Sequence, residues 1–175
     1  MRVAAGQFLY KPTDESPFIF LIDTGAVKIG SLGPLGERVT YDLLLPGETF
    51  GNLHYLDSDG VEFFEFAQAA TAASLLAVEL AYFRHIIIHD PVVAEWFNRV
   101  VVRRWCKAET RLLHMAHADT DTRLQALQRA YNQSITDADG RVHNALRLLS
   151  YQEMADLTGT TRQTVSKKLN RQPVR

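Results

Sequence analysis

The apolar residues of this chain change their period once. Through the first 80 positions they come in short runs, FIFLIDTGAVKIG (18–30), RVTYDLLLPGETFG (38–51) and AATAASLLAVEL (69–80). Gly25, Gly33, Pro46, Gly47, Gly51 and Gly60 punctuate them. Short, evenly spaced apolar runs with glycine turns predict an antiparallel sandwich or barrel. AYFRHIIIHDP then predicts a short helix that stops before Pro91. From Pro91 no glycine or proline interrupts the chain until Gly140. Pro91 suits a first helical turn. Val101, Trp105, Ala108, Leu112 and Met115 follow at spacings of four, three, four and three. That is a heptad seam, and it demands a partner surface: a second copy of the helix, or the chain's own β region.

Beyond the seam the spacing predicts a second helix over Thr122 to Tyr131. The polar connector NQSITDADGRVHN (132–144) turns at Asp139-Gly140, as a loop or as the tip of a hairpin. The segment SYQEMADLTGTTRQTVSKKLNR (150–171) is the densest in signals. Ser150 and Glu153 have the spacing of a capping box and open a helix. Met154 and Leu157, then Val165 and Leu169, supply one apolar face. Ala155 is small where two helices must cross, and Gly159 stands where the first must stop and turn. Thr160 or Thr161 caps a second helix whose outer side shows Arg162, Gln163, Ser166 and Lys167. Two short helices, a glycine turn and a polar second helix form a helix-turn-helix pattern.

Charge sharpens this picture. The net charge of −1 conceals an acidic body and a basic end: residues 1–90 hold 12 acidic and 5 basic side chains, residues 141–175 hold 2 and 7. A basic terminal module points to a polyanion partner. The single cysteine, Cys106, excludes an intrachain disulfide framework and a cysteine metal cluster. No apolar run is long enough to span a membrane and no signal peptide opens the chain, so a cytoplasmic location is expected. A metal oxygenase on a small barrel needs paired histidines and a carboxylate, whereas the β region has only His54. No P-loop, dinucleotide fingerprint or Ser-His-Asp arrangement is present, so an enzyme is not expected. His114 and His117 share a helix face, but two ligands make no closed metal site.

The order of these pieces resembles the Crp/Fnr family of bacterial regulators, which includes the catabolite activator proteins. FLIDTGAVKI (20–29) resembles its glycine-turn strand pair, LPGETFGNL (45–53) its entry to the effector cassette, and DPVVAEWFNRVVVRRW (90–105) the start of its dimer helix. The resemblance implies an α+β chain: an N-terminal jelly-roll sensor of the cyclic-nucleotide-binding type over residues 1–90, a dimerisation helix over 91–118, and a helix-turn-helix module over 119–175 lacking most of the family's wing. It also begins almost inside the jelly roll, without the family's preceding short helix. The implied partners are double-stranded DNA carrying an inverted repeat, a second copy of the chain, and RNA polymerase. DNA contacts would fall to Thr161, Arg162, Gln163, Thr164, Ser166, Lys167 and Lys168, and the dimer interface to Phe97, Val101, Trp105, Ala108, Leu112 and Met115.

The effector site departs from the family. Asn52 replaces the glutamate that holds ribose, and Phe63 and Phe64, between Glu62 and Glu65, stand where an Arg-Ser pair grips the cyclic phosphate. Ala108 and Glu109 replace the threonine and serine of the long helix. A cyclic phosphate needs a cation or backbone donors, and two phenylalanines between two carboxylates offer neither a cation nor a hydroxyl. The expected pocket, around Asn52, Leu53, His54, Phe63, Phe64, Ala108 and Glu109, therefore should not take cyclic AMP or GMP. A small apolar or aromatic effector beside the phenylalanines, or no effector, remains open. The alternative is a regulator that answers to cyclic nucleotide, haem or another small ligand through an atypical pocket. Haem-binding members use local histidine or cysteine ligands. His54 lies in the cassette, and Cys106 and His114 lie on the helix that closes it. A lone histidine in such a place is more often a hydrogen-bonded residue than a ligand, and no cofactor follows from the residues.

Overall fold

The computed structural model describes residues 1–12, 14, 16–33, 36–52 and 64–170. Eight strands form the N-terminal part: β1 Arg2–Val3, β2 Phe8–Tyr10, β3 Phe18–Thr24, β4 Val27–Leu32, β5 Arg38–Leu44, β6 Thr49–Gly51, β7 Glu65–Ala69 and β8 Ala73–Glu79. They make two four-stranded antiparallel sheets, ordered β1-β8-β3-β6 and β2-β7-β4-β5. Tyr10, Phe20, Ile22, Val27, Ile29, Leu44 and Phe50 fill the space between them, with Phe20 and Phe50 stacked at 5.1 Å. The short apolar runs of the sequence thus form a jelly-roll-like sandwich around a shared apolar core. Gly25 joins β3 to β4 at φ +87°, and a Cβ there would meet the Ala72 carbonyl oxygen at 2.5 Å. Both the backbone angle and the close approach require glycine.

Helix α1, Leu80–His89, leads into α2, Pro91–His117, 27 residues long. Asp90 caps α2 by accepting the amides of Val92 and Val93 at 2.9 and 3.2 Å, and Pro91 takes the first helical position. At 1.5 Å per residue the helix spans roughly 40 Å. Helix α3, Thr120–Tyr131, begins two residues nearer the N-terminus than its apolar pattern indicated, because Asp119 caps it through the Thr122 amide at 2.8 Å. The polar connector is a hairpin of β9, Ser134–Thr136, and β10, Val142–Asn144, which pair antiparallel around Gly140. A short 3-10 turn, Ala145–Leu148, leads to α4, Tyr151–Thr158, and α5, Arg162–Leu169.

A second core ties the two halves together. Leu124, Leu127, Tyr131, Met154, Leu157 and Val165 from the helices pack with Ala26 and Leu43 from the sandwich. A third, smaller cluster corrects one expectation. Phe97 is 7% exposed and packs edge-to-face on Phe83, ring centres 5.3 Å apart, with Ile19 beneath. Helix α1 lies against the first turns of α2 and covers that position, so Phe97 belongs to the chain's own core rather than to the open seam. The seam begins a turn later, at Val101.

Candidate nucleic-acid interface and effector region

Local chemistry positions α4 and α5. Ser150 accepts the Glu153 amide at 3.2 Å while Glu153 accepts the Ser150 amide at 2.7 Å, so both arms of the capping box are made. The Glu153 carboxylate also takes Lys28 of β4 at 2.7 Å, which links α4 to the sandwich. Burial pushes this carboxyl up, but the Lys28 hydrogen bond and the Ser150 amide outweigh it and hold it below its usual value. Gly159 ends α4 at φ +59°. A Cβ there would find only ordinary contacts with Arg123 and Met115, so the left-handed backbone alone selects glycine. Thr161, not Thr160, caps α5 through the Thr164 amide at 3.2 Å. Gln163 is therefore not the residue that completes the cap.

Val165 is fully buried and Leu169 packs on the same core, which turns the opposite side of α5 outward. Arg162, Gln163 and Lys167 are exposed; Thr161 is exposed and Thr164 and Ser166 half-buried at the same end. Lys168 is half-buried, and its ammonium lies 2.6 Å from Asp121 of α3, an ion pair that links α3 to α5. Arg162, Gln163 and Lys167 thus make a compact polar face on one helix.

Helix α2 turns Arg104, Lys107 and Arg111 toward the sandwich. Lys107 and Arg111 reach Asp42 of β5 at 2.8 and 3.5 Å, and the Tyr131 hydroxyl donates to the same carboxylate at 2.8 Å. One buried oxygen thereby joins β5, α2 and α3. Burial pushes the Asp42 carboxyl up, yet Lys107, its hydrogen bond and Arg111 prevail and hold it below its ordinary 3.8. Burial and the Asp42 charge push the Tyr131 hydroxyl up to about 12. A second carboxylate, Glu65 of β7, accepts the hydroxyls of Tyr10 and, at 2.5 Å, Tyr41. Burial and the Glu65 charge raise both tyrosines well above their usual range, so they stay protonated donors. Arg104 lies 3.9 Å from Glu65 and donates to the Thr49 carbonyl at 3.2 Å. The sequence signal for this lining was the Arg104, Lys107, Arg111 ladder at helical spacing, which without a partner reads as an ordinary solvated face.

The expected effector residues are only partly brought together. Leu53, His54 and Phe63 lie outside the described residues. Asn52 is half-buried at the end of β6, and the Phe64 ring, 48% exposed, lies 6.4 Å from Tyr41. Ala108 and Glu109 are exposed on α2, one position round from the three cations that meet the sandwich. The seam residues Val101, Trp105, Ala108, Leu112 and Met115 all face solvent, Trp105 and Leu112 at 64% and 65%. Among the described residues no three His, Cys, Asp or Glu side chains converge on a point where a metal could bind, and no helix is long and apolar enough to cross a membrane.

Comparison with known proteins agrees with this architecture. Residues 1–90 match the model of the cyclic nucleotide-binding domain. The global nitrogen regulator of Synechococcus elongatus is 28% identical over 166 residues, 94% of this chain and 74% of the relative. The CRP-like cAMP-activated global transcriptional regulator of Mycobacterium tuberculosis is 27% identical over 168 residues, 94% and 72%. Among solved structures, a CRP-family transcriptional regulator of Thermus thermophilus superposes with a TM-score of 0.70 at 23% identity, over 98% of this chain and 83% of that one. With a cyclic nucleotide-binding domain across half its length, a long helix behind it and relatives of this kind matched over 94% of the chain, the chain belongs to the Crp/Fnr family of transcriptional regulators.

Proposed function

We propose that this regulator acts as a homodimer that reads an inverted-repeat DNA site through α5 and is not controlled by cyclic nucleotide. The observation that carries the DNA reading is the outward face of α5. Arg162, Gln163 and Lys167 lie exposed on a helix held by a left-handed glycine and a threonine cap, within a module rich in basic residues. In a helix-turn-helix the start of the second helix reaches base edges in the major groove. Arg162 can fork onto guanine O6 and N7, and Gln163 suits the paired acceptor and donor of adenine. Lys167 reaches a guanine or a phosphate, and Thr161, Thr164 and Ser166 are placed for the backbone. Lys168, already paired with Asp121, is assigned to holding α5 on α3.

The dimer reading rests on the seam of α2, a row of apolar side chains that the sandwich leaves uncovered from Val101 to Met115. Two such modules on a two-fold axis read half-sites about one helical turn, roughly 34 Å, apart. Residues 1–90 then serve as the sensor, 91–118 as the pairing helix, and 119–175 as the reader.

The reading against cyclic nucleotide rests on Glu65. Beside Phe64, where a cyclic phosphate would need donors, the chain places a carboxylate that already takes the Tyr10 and Tyr41 hydroxyls and stands near Arg104. An added phosphate would meet like charge and spent donors. The relative named cAMP-activated is similar in sequence, but Asn52, Phe63 and Phe64 separate this chain from the family's phosphate grip. Selection of bound sites from random DNA tests the whole reading. A single inverted repeat is expected, with the same profile with and without cyclic AMP. No enriched sequence would overturn the DNA reading, and a profile that appears only with cyclic AMP would overturn the effector reading.

A further inference from the structure

A cleft of about 300 Å³ lies between the second half of α2 and the corner formed by α3 and α4. Met115, Leu127 and Leu157 give it an apolar wall, while Lys107, Arg111, His114 and Arg123 bring nitrogen donors to it. Among the described residues no aspartate or glutamate lines it. The Arg123 guanidinium makes a long bond of 3.3 Å to the Thr120 hydroxyl, and among the described residues its buried Nε has no hydrogen-bond partner. Its terminal N–H groups are the ones an acceptor in the cleft can take. The cleft lies on the side of α2 that meets α3, turned away from Trp105 and Ala108, and Met115, the last residue of the seam, borders both.

We propose that this cleft is a binding site for a small amphipathic carboxylate, whose chain or ring lies on Met115, Leu127 and Leu157 and whose anion is taken by Arg123 with Lys107 or Arg111. The volume suits a compact ligand and is at the lower end for small-molecule sites. The described lining offers nitrogen cations and no carboxylate, which favours an anion. Lys107 and Arg111 also hold Asp42, so an anion here competes with the contact that joins β5 to α2 and α3. Binding would thereby reach α4 directly, through Leu157 and Thr158 of the lining, and α5 through α4. The site is separate from the expected pocket at Phe64 and stands whether or not α5 binds DNA.

Octanoate and 1-octanol are the probes, titrated into the full chain by calorimetry. Octanoate is expected to bind saturably, one per chain, and octanol about tenfold or more weaker, because charge-assisted bonds are lost. Arg123→Met should weaken octanoate about tenfold and leave octanol unchanged. Cys106, the only cysteine of the chain, lines the cleft and is exposed, which makes it a built-in reporter. Saturating octanoate should slow its alkylation by N-ethylmaleimide several-fold. Ala126→Trp should fill the cleft and abolish binding with the dimer intact. Absence of saturable octanoate binding at millimolar concentration overturns the proposal. So does equal affinity for octanol, or Cys106 alkylation that bound octanoate leaves unchanged. Should Ala126→Trp not fold, the Arg123 variant and the alkylation rate decide alone.

Discussion

The two faces of α2 have unlike chemistry and unlike partners. One carries Val101, Trp105, Ala108, Leu112 and Met115, apolar and uncovered. The other carries Arg104, Lys107 and Arg111, cationic and bonded to the Thr49 carbonyl, Asp42 and the Tyr41 carbonyl of the sandwich. A simple amphipathic helix would bury the apolar face and leave the cations in water. Here the chain does the reverse within itself. On the dimer reading the apolar face finds its cover in a second copy, whereas the ionic face has its counter-charge within the chain, from Asp42 on β5 and Glu65 on β7. The ionic side ties the sandwich, α2 and α3 together within one chain, and the proposed assembly falls to the seam.

The ionic face should show the largest single effect. Asp42→Ala leaves Lys107, Arg111 and Tyr131 without their common acceptor. Breaking a buried pair costs about 3–5 kcal/mol, with the lower part expected because Lys107 and Arg111 keep some solvent. Urea unfolding measures it, and a loss below about 1 kcal/mol would mean that the contact does not hold the halves together. Its pH dependence has a fixed sign. The folded Asp42 carboxyl lies below its ordinary 3.8, so its stabilisation is complete above that pH and fades as pH falls through the lower folded value. Asp42→Ala should flatten the acid limb of the stability curve and leave neutral pH dependence unchanged.

The apolar face should respond next. Trp105→Asp puts a charge into the seam and removes a contact worth on the order of 2–4 kcal/mol. Sedimentation should find monomers at micromolar concentration. The isolated chain's unfolding should change little, since Trp105 is 64% exposed within it. A dimer that survives the substitution would move the assembly surface elsewhere and undo the contrast between the faces.

Smaller effects sharpen the contrast at the reader. Gln163→Ala should cost roughly 1–3 kcal/mol on the best DNA site and relax one position per half-site. Thr161 caps α5, so the same variant should leave the thermal midpoint in place. A lowered midpoint with an unchanged site profile would return Gln163 to a structural role. Last, Lys167→Ala should reduce the salt slope of DNA binding by about one, and Lys168→Ala by less, because Asp121 already neutralises Lys168. Equal slopes would show that the Asp121 pair opens on DNA.

What the sequence determined by itself was everything encoded within a few residues. Period, glycine and proline placed β3 to β6, β8, α2 and the α4–α5 pair, while β1, β2 and most of β7 fell outside the apolar runs. Ser150, Glu153 and Gly159 specified caps that the structure forms as their spacing requires. These are backbone matters: an amide left without a partner, or a positive φ, is satisfied by neighbours in the chain. Even the choice between Thr160 and Thr161 is a local one, although spacing left it open. Only the tertiary structure decided what pairs across distance. Asp42 and Lys107 are 65 residues apart, Lys28 and Glu153 125 apart, and no period announces either pair. Phe97 has the character of a seam residue and is buried because α1 happens to lie over it. Lys168 has the character of a DNA contact and is held by Asp121. A side chain's type states what it can bind, but its partner is chosen by packing that brings distant strands and helices together.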